Sequence, residues 1–544
     1  MIWRRGPLWL VLLVTGVAGE PVKSTVTVPM RDGVKLRADL YVPEPGRPWP
    51  VLLHRSPYDR KRAEAIALRY AAAGYAVLVQ DCRGRFESEG AFHPYNNEGQ
   101  DGYDTLDWIR KQPWSNGRVA MFGASYTGAV QWQAAVEDAP GLVALAPTAT
   151  WTSFYRNLYL GGVIRLDLIT GWTAGMAKPA TTPALAPGAL AKILLDKPAL
   201  EIDDAIGWPI PWLDGFLAHP HPDGFWRRLD LTGAVEKLNL PAQHIVGYYD
   251  FFSRESSRAF QRLRHTKRSQ QLILGPWDHG SISRQQTGDL DFGPSAALDV
   301  PAENIQWFDR FVKQTNSAAF EPVRYFSMGE NRWRTAQSWP PGDTRARHFY
   351  LHPNGALSTA PVTGTNQLAS LRADPANPVP AAAGQRPLWG PTDLSAFFAR
   401  PDVAAFRGEP LNAPLRIAGE VTAELSVSTD APDGDWAVRL LDVHPDGAAY
   451  PVASGILRMS FRDGESKAVP AEAGKTYKVR VDLGPTAIAF QPGHRVAVMI
   501  APSMFPLYAV NRNTSKGAES AVNRIAVQRV FAGSRVALPV VEGK

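Results

Sequence analysis

One cysteine in 544 residues, Cys82, leaves this chain no means of building a disulfide framework. The same scarcity excludes a cysteine-built zinc or iron–sulfur site, so Cys82 reads as a small buried hydrophobe. Beyond the first residues, no segment approaches the run of about 20 apolar residues that spans a bilayer as a helix. Neither sign of charge dominates: 58 Lys and Arg against 52 Asp and Glu give a formal net charge of +6, spread along the chain. The densest basic group, Arg262, Arg264, Lys267 and Arg268, falls at the end of an expected helix, where cations complement the helix dipole. That placement gives no reason to expect a nucleic-acid partner. A fixed-period repeat and an extended low-complexity tract are also missing, which excludes solenoids and collagen-like chains.

What is present is a globular composition, 45% hydrophobic and 20% charged. At roughly 150 residues per domain the length suggests two to four domains. Residues 1–19 carry Arg4 and Arg5, an apolar run from Leu8 to Val14, then Gly16, Ala18 and Gly19. This is the pattern of a secretory signal, so a secreted or periplasmic protein is expected, with an uncleaved N-terminal anchor as the alternative.

From Ser24 to Met30 and from Val34 to Val42, β-branched alternation on either side of Asp32-Gly33 predicts a hairpin. A strand-then-helix rhythm follows: Pro50 to Leu53, helical Ala63 to Ala73, Tyr75 to Val79, helical Gln100 to Lys111, and Arg118 to Phe122. Buried strands alternating with amphipathic helices predict an α/β domain with a parallel sheet covered on both faces, its first half over 20–150. Residues 151–240 show no clear strand and are rich in Trp, Leu, Ala and Pro, which predicts a helical cap insertion whose aromatic residues roof a pocket. The sheet resumes over 241–344 with strands at Gln243 to Tyr248 and Gln271 to Leu274 and helices at Ser253 to Leu263 and Glu303 to Lys313. From about Arg345 to the C-terminus, short alternating runs between Gly, Pro and Asp turns predict an antiparallel β-sandwich. Within it, Thr359 to Gly384 reads as an irregular surface loop.

The strand Arg118 to Phe122 leads into Gly123-Ala124-Ser125-Tyr126-Thr127-Gly128, and a small-residue helix leaves it. Strand, sharp turn and helix are the setting of a nucleophile elbow, in which the serine hydroxyl stands exposed and the next N–H faces a developing oxyanion. The second glycine stands one place later than in Gly-x-Ser-x-Gly. A serine hydroxyl needs a base oriented by an acid. Asp250 follows one strand end and His279 the next, in the chain order Ser, Asp, His. Asp278 is a rival acid, but neighbours on an extended segment point to opposite sides. His54, His93, His219 and His221 fit that order less well. Tyr58, after Pro57 in the loop of an early strand, is either a second oxyanion donor through its phenol or a packing aromatic.

These residues resemble the family of cocaine esterase, α-amino-acid ester hydrolases and X-prolyl dipeptidyl-peptidases. The stretches that match are Arg55-Ser56-Pro57-Tyr58, Asp81-Cys82-Arg83-Gly84-Arg85, Asp101-Gly102-Tyr103-Asp104, Gln112-Pro113-Trp114, the elbow, Gly247-Tyr248-Tyr249-Asp250, Gly275-Pro276-Trp277-Asp278-His279 and Asn511-Arg512-Asn513. In that family the elbow is Gly-x-Ser-Tyr-x-Gly, which accounts for the displaced glycine. The resemblance implies a serine hydrolase of α/β-hydrolase fold with a jelly-roll-like C-terminal domain, needing no cofactor or metal. It implies Ser125 as nucleophile, His279 as base, Asp250 as its partner, and the Tyr126 N–H with the Tyr58 hydroxyl as oxyanion hole. Phe251 and Phe252 stand where amino-ester hydrolases resemble one another in carrying acids that grip an ammonium. An apolar pair there favours a small ester or amide with an apolar or aromatic acyl part. The alternatives are X-Pro dipeptide release, with Asp203 or Asp204 of the insertion as amine anchor, amino-ester hydrolysis, and a non-catalytic glycan-binding protein. No stable membrane span is expected, and a homo-oligomer is left open.

Overall fold

The computed structural model describes residues 20–542 except 180, 267, 317–318 and 383–389. The expected secretory segment, Lys267 and the last residues of the expected Thr359 to Gly384 loop therefore lie outside the described residues.

A ten-stranded sheet forms the first layer. At one edge, Val22–Pro29 and Lys35–Val42 pair antiparallel across the Asp32-Gly33 turn, and the second strand pairs antiparallel with Ala76–Asp81. The next strands run parallel: Trp49–Ser56, Ser115–Ala124, Leu142–Thr148, Ala242–Gly247, Gln270–Gly275 and Val323–Ser327. Ala76–Asp81, Ala242–Gly247 and Gln270–Gly275 are buried at every position, as strands covered on both faces must be. That is why their apolar residues, 76–79, 245–246 and 272–274, are consecutive rather than alternating. Arg332–Ala336 closes the far edge antiparallel to Val323–Ser327. Neither of these last two strands is evident in the sequence, because Arg324, Arg332 and Arg334 interrupt the apolar pattern. Glu303 and Glu330 pair with Arg324 and Arg334 and make those charges tolerable.

Helices Glu64–Ala72 and Val300–Phe311 cover one face with a cluster that includes Tyr70, Phe122, Trp307 and Phe308. Glu98–Arg110, Tyr126–Val136 and Ser253–Leu263 pack through the larger cluster. The segment between the Leu142–Thr148 and Ala242–Gly247 strands is helical, as expected, with Phe154–Leu158, Leu166–Ala177, Ala189–Asp196, Ile202–Ile206 and Leu213–Leu217. It differs from the expectation in one detail: Tyr159–Leu160 and Val163–Ile164 make a small antiparallel hairpin.

The C-terminal domain is all-β. One sheet has six strands, with Ala526–Val541 pairing on one side with Thr344–Leu351 and Gln367–Ala373 and on the other with Leu415–Thr429, which pairs in turn with Tyr477–Phe490. The other has four: Ala404–Arg407, Arg495–Ala501, Asp435–Val443 and Ala449–Arg458. The expected irregular loop from Thr359 is corrected here. Gln367–Ala373 is a strand, because Leu371 and Ala373 alternate into the core while the prolines that suggested a loop only flank it. One hydrophobic cluster runs from Val28 to Val540, so the sandwich and the α/β domain share a core.

Candidate active site

Ser125 sits at the turn between Ser115–Ala124 and Tyr126–Val136 with φ 61° and ψ −123°. A non-glycine residue held there costs about 1–3 kcal/mol, and such strain collects at functional sites. The turn is fixed from both sides of the peptide. The Ser125 N–H donates to the carbonyls of Thr148 and Ala149, both at 3.0 Å, and the Ser125 carbonyl accepts from the Thr150 hydroxyl at 2.8 Å. Gly128 explains the shifted glycine: a Cβ there would lie 2.8 Å from Thr150 Cβ and 3.1 Å from the Thr148 carbonyl oxygen. The close approach of helix to neighbouring strand thus falls at position 128. Thr127 is tolerated because its hydroxyl donates to the Ala124 carbonyl at 2.7 Å.

Below the elbow lies a buried polar network with no clear signature in the sequence. The Tyr126 hydroxyl donates to Glu98 Oε1 at 2.7 Å and accepts from the Tyr95 N–H at 3.0 Å. The fully buried Arg55 holds the other Glu98 oxygen at 2.9 Å and donates to Gln80 at 2.8 Å. Cys82 is buried beside this network, and burial pushes its thiol up, which keeps it protonated. Truncating one member of such a network strands a buried charge.

His279 and Asp250 stand past the ends of adjacent parallel strands. His279 Nδ1 lies 2.9 Å from Asp250 Oδ2, while Asp250 Oδ1 accepts from the Phe252 N–H at 2.8 Å. The two loops are clamped together, since the Tyr249 N–H donates to the Trp277 carbonyl at 3.0 Å. Gly247 permits that contact: a Cβ there would fall 2.0 Å from the Trp277 oxygen. Asp278 is not the orienter; its carboxylate accepts from the Gly280 N–H instead. Burial opposes charging of His279, but the charge and hydrogen bond of Asp250 outweigh it and raise its pKa above the ordinary 6.5. With Nδ1 taken by Asp250, Nε2 is the nitrogen left to act as base. Among the described residues no hydrogen bond joins Ser125 to His279, and unliganded catalytic contacts commonly close only on substrate.

Tyr58 lies beside the elbow, its ring 6.2 Å from that of Tyr126. Its phenol oxygen accepts from Trp172 Nε1–H at 3.0 Å, which leaves the phenol proton free, and the Ser125 side chain is among the polar groups acting on it. Burial pushes the Tyr58 phenol up to about 12, so it stays protonated. Tyr126 opens its helix, so its N–H has no intrahelical acceptor. Trp172, on the Leu166–Ala177 helix of the insertion, is the functional residue that sequence reasoning missed. A tryptophan in an apolar helix reads as core until its N–H partner is seen. Its ring stacks 6.0 Å from that of Tyr95, beside Tyr126. Phe251 and Phe252 pack their rings 4.5 Å and 5.5 Å from the His279 ring.

The remaining histidines are accounted for by other contacts. His54 is enclosed against Phe122, where burial lowers its pKa to about 4; His219 pairs with Asp223 at 2.6 Å; His221 stacks on Phe461; and His93 is exposed. Asp203 is half-buried and Asp204 exposed on the Ile202–Ile206 helix. Among the described residues, Asp442, His444 and His494 bring three metal-competent atoms within 4.8 Å of one another in the sandwich. His494 Nδ1 already lies 2.9 Å from Asp442 Oδ1, so the same geometry makes a hydrogen-bonded trio without a metal.

Residues 32–281 match the X-Pro dipeptidyl-peptidase (S15) family and residues 316–535 the X-Pro dipeptidyl-peptidase C-terminal non-catalytic domain. The chain is 36% identical to the cocaine esterase of Rhodococcus sp. (strain MB1 Bresler), over 96% of this chain and 99% of that one. Among solved structures it is similar to an α-amino acid ester hydrolase, with TM-score 0.87, 27% identity and 98% of each chain covered. It is also similar to an aminopeptidase from a marine sediment archaeon, Thaumarchaeota archaeon, with TM-score 0.88, 25% identity, and 96% of this chain and 97% of that one covered.

Two measurements test the geometry of the site. Tyr58→Phe keeps the ring but removes the phenol donor, so kcat is expected to fall about 10²–10³-fold with an unchanged unfolding midpoint. An unchanged kcat would make Tyr58 a packing residue. The acid limb of kcat/KM is expected above pH 6.5, because His279 must be neutral to accept a proton and Asp250 favours its charged form. Asp250→Asn should lower kcat about 10⁴-fold and move that limb down; a limb that does not move would show that Asp250 does not orient the base.

Proposed function

Because this chain belongs to the X-Pro dipeptidyl-peptidase (S15) family, whose relatives include esterases and ester hydrolases, and is a serine hydrolase, we propose that it cleaves small carboxylic esters or amides with an apolar or aromatic acyl part through an acyl-enzyme on Ser125. The observation that carries this reading is the 2.9 Å His279–Asp250 bond at adjacent strand ends, on the side of the sheet where the strained Ser125 turn opens. In this reading, Ser125 Oγ attacks the ester carbonyl while His279 Nε2 takes its proton. The carbonyl oxygen, now negative, receives the Tyr126 N–H and the Tyr58 hydroxyl. His279 then returns the proton to the leaving alcohol or amine, and water repeats the sequence to release the acid.

Aromatic surroundings support the apolar acyl group. Phe251, Phe252 and Trp172 place aromatic rings around the triad and the elbow, where an apolar or aromatic acyl group gains from burial. One observation favours the amino-ester alternative. Asp167, on the same helix as Trp172, is buried with no partner for Oδ1, and burial pushes its carboxyl up to about 7. A substrate ammonium beside it would favour the charged carboxylate, as an amine anchor requires. Export is part of the proposal and rests on the Arg4-Arg5 and Leu8 to Val14 pattern.

A phosphonate or sulfonyl fluoride is expected to modify Ser125 and end turnover, and Ser125→Ala to lower kcat about 10⁶-fold. Peptide mass spectrometry reads the labelled residue and, after expression in a secreting bacterial host, the N-terminus. A label elsewhere on an inactivated protein overturns the assignment of Ser125, and an intact Met1 overturns a cleaved secretory signal. With one leaving group, and at a pH where the amine is charged, benzoyl or phenylacetyl esters are expected to exceed the matching α-amino esters at least about tenfold in kcat/KM. Equal or reversed preference that Asp167→Asn abolishes would instead establish the amino-ester reading.

A further inference from the structure

Between the α/β domain and the sandwich lies a cavity of about 130 Å³ whose wall carries Arg165, Arg254 and Arg439. All three are buried, with 3%, 8% and 3% of their surface exposed. Buried guanidinium groups ordinarily stand against carboxylates. Here the one carboxylate in the wall is Asp250, whose oxygens are already taken by His279 and the Phe252 N–H.

The three arginines are held by backbone carbonyls instead. Arg439 Nη2 donates to Pro380 and Ala381, Arg254 Nη2 to Ser454 and Asp482, and Arg165 Nη1 to Phe251. Asp482, just behind the wall, is 3.7 Å from Arg254 and binds Arg258 at 2.8 Å, while Glu255 pairs with Arg258 at 3.4 Å, so these two carboxylates offset Arg254 and Arg258 and leave Arg165 and Arg439 without an ion pair among the described residues. Glu420 is pushed by burial up to about 7, so it adds only part of a negative charge at neutral pH. Arg439 Nη1 and Arg254 Nε have no hydrogen-bond partner among the described residues. Residues 383–389, which adjoin Ala381 in the sequence, contain no Asp or Glu. Burial pushes the Arg439 guanidinium down to about 10, still charged at neutral pH.

A cavity with a surplus of buried positive charge and unused N–H donors is complementary to a small anion. We infer that this cavity is a binding site for a small monoanion, a halide or a short carboxylate, held by Arg439 between the two domains. Such an anion would complete the charge balance behind Asp250 and bind only when the sandwich is docked. Occupancy then stabilises the folded protein by mass action.

Bromide is the probe. Crystals of the full chain equilibrated with bromide well below molar concentration should show an anomalous peak in the cavity within hydrogen-bonding distance of Arg439 Nη1. In solution, bromide should raise Tm more than gluconate at equal ionic strength, because gluconate is too large to enter, and acetate should act like bromide if a carboxylate fits. Arg439→Met replaces the buried charge with an apolar chain of similar length, a change that buried ions often tolerate. In that variant the excess of bromide over gluconate should vanish. No peak in the cavity, or a bromide effect of the same size in Arg439→Met, overturns the inference. If the variant does not fold, the anomalous map of the unaltered protein decides.

Discussion

The constraint on which this molecule depends is the turn at Ser125. A serine with φ 61° and ψ −123° is unfavourable by itself, and its neighbours hold it in place. Two hydrogen bonds from its N–H and one to its carbonyl tie it to the residues just after the Leu142–Thr148 strand, and each is worth on the order of 1 kcal/mol. Helix Tyr126–Val136 can approach that strand only because Gly128 lacks a side chain. Elbow, strand order and glycine placement are therefore one requirement, and the spacing of the motif follows from which residue meets Thr150.

The other parts of the site hang from the same scaffold. Tyr126 is both the residue whose N–H the proposed mechanism directs to the reacting oxygen and, through its phenol, the end of the Arg55–Glu98 network. The loops carrying Asp250 and His279 are joined by the Tyr249–Trp277 hydrogen bond, which holds the His279–Asp250 pair in place. The helical insertion contributes Trp172, whose N–H fixes the Tyr58 phenol oxygen. The sandwich reaches the same region from behind, through Arg254 and the cavity below Asp250. A serine hydrolase built this way draws on all three parts of its chain at one edge of one sheet.

Much of this was legible in the sequence for physical reasons. Strands buried on both faces read as apolar runs, and the chain order of Ser125, Asp250 and His279 past successive strand ends needed only the alternation of strands and helices. The parts that were not legible depend on partners outside the element itself. Val323–Ser327 and Arg332–Ala336 are disguised by arginines whose partners, Glu303 and Glu330, lie outside the two strands. Gln367–Ala373 is hidden by neighbouring prolines, although its pairing with Ala526–Val541 buries Leu371. Trp172 and Glu98 look like core and helix surface until the fold brings them to Tyr58 and Tyr126. No local pattern could announce those contacts.

The most direct test of the account is a crystal structure of the protein inactivated by a phosphonate ester, whose phosphoryl oxygen stands where the oxyanion forms. The account predicts a bond from phosphorus to Ser125 Oγ, with that oxygen about 2.7–3.1 Å from both the Tyr126 nitrogen and the Tyr58 hydroxyl. His279 should then lie within hydrogen-bonding distance of the remaining phosphonate oxygen while keeping its bond to Asp250. A phosphonyl oxygen turned away from Tyr58 and Tyr126, or an adduct on another residue, would contradict it.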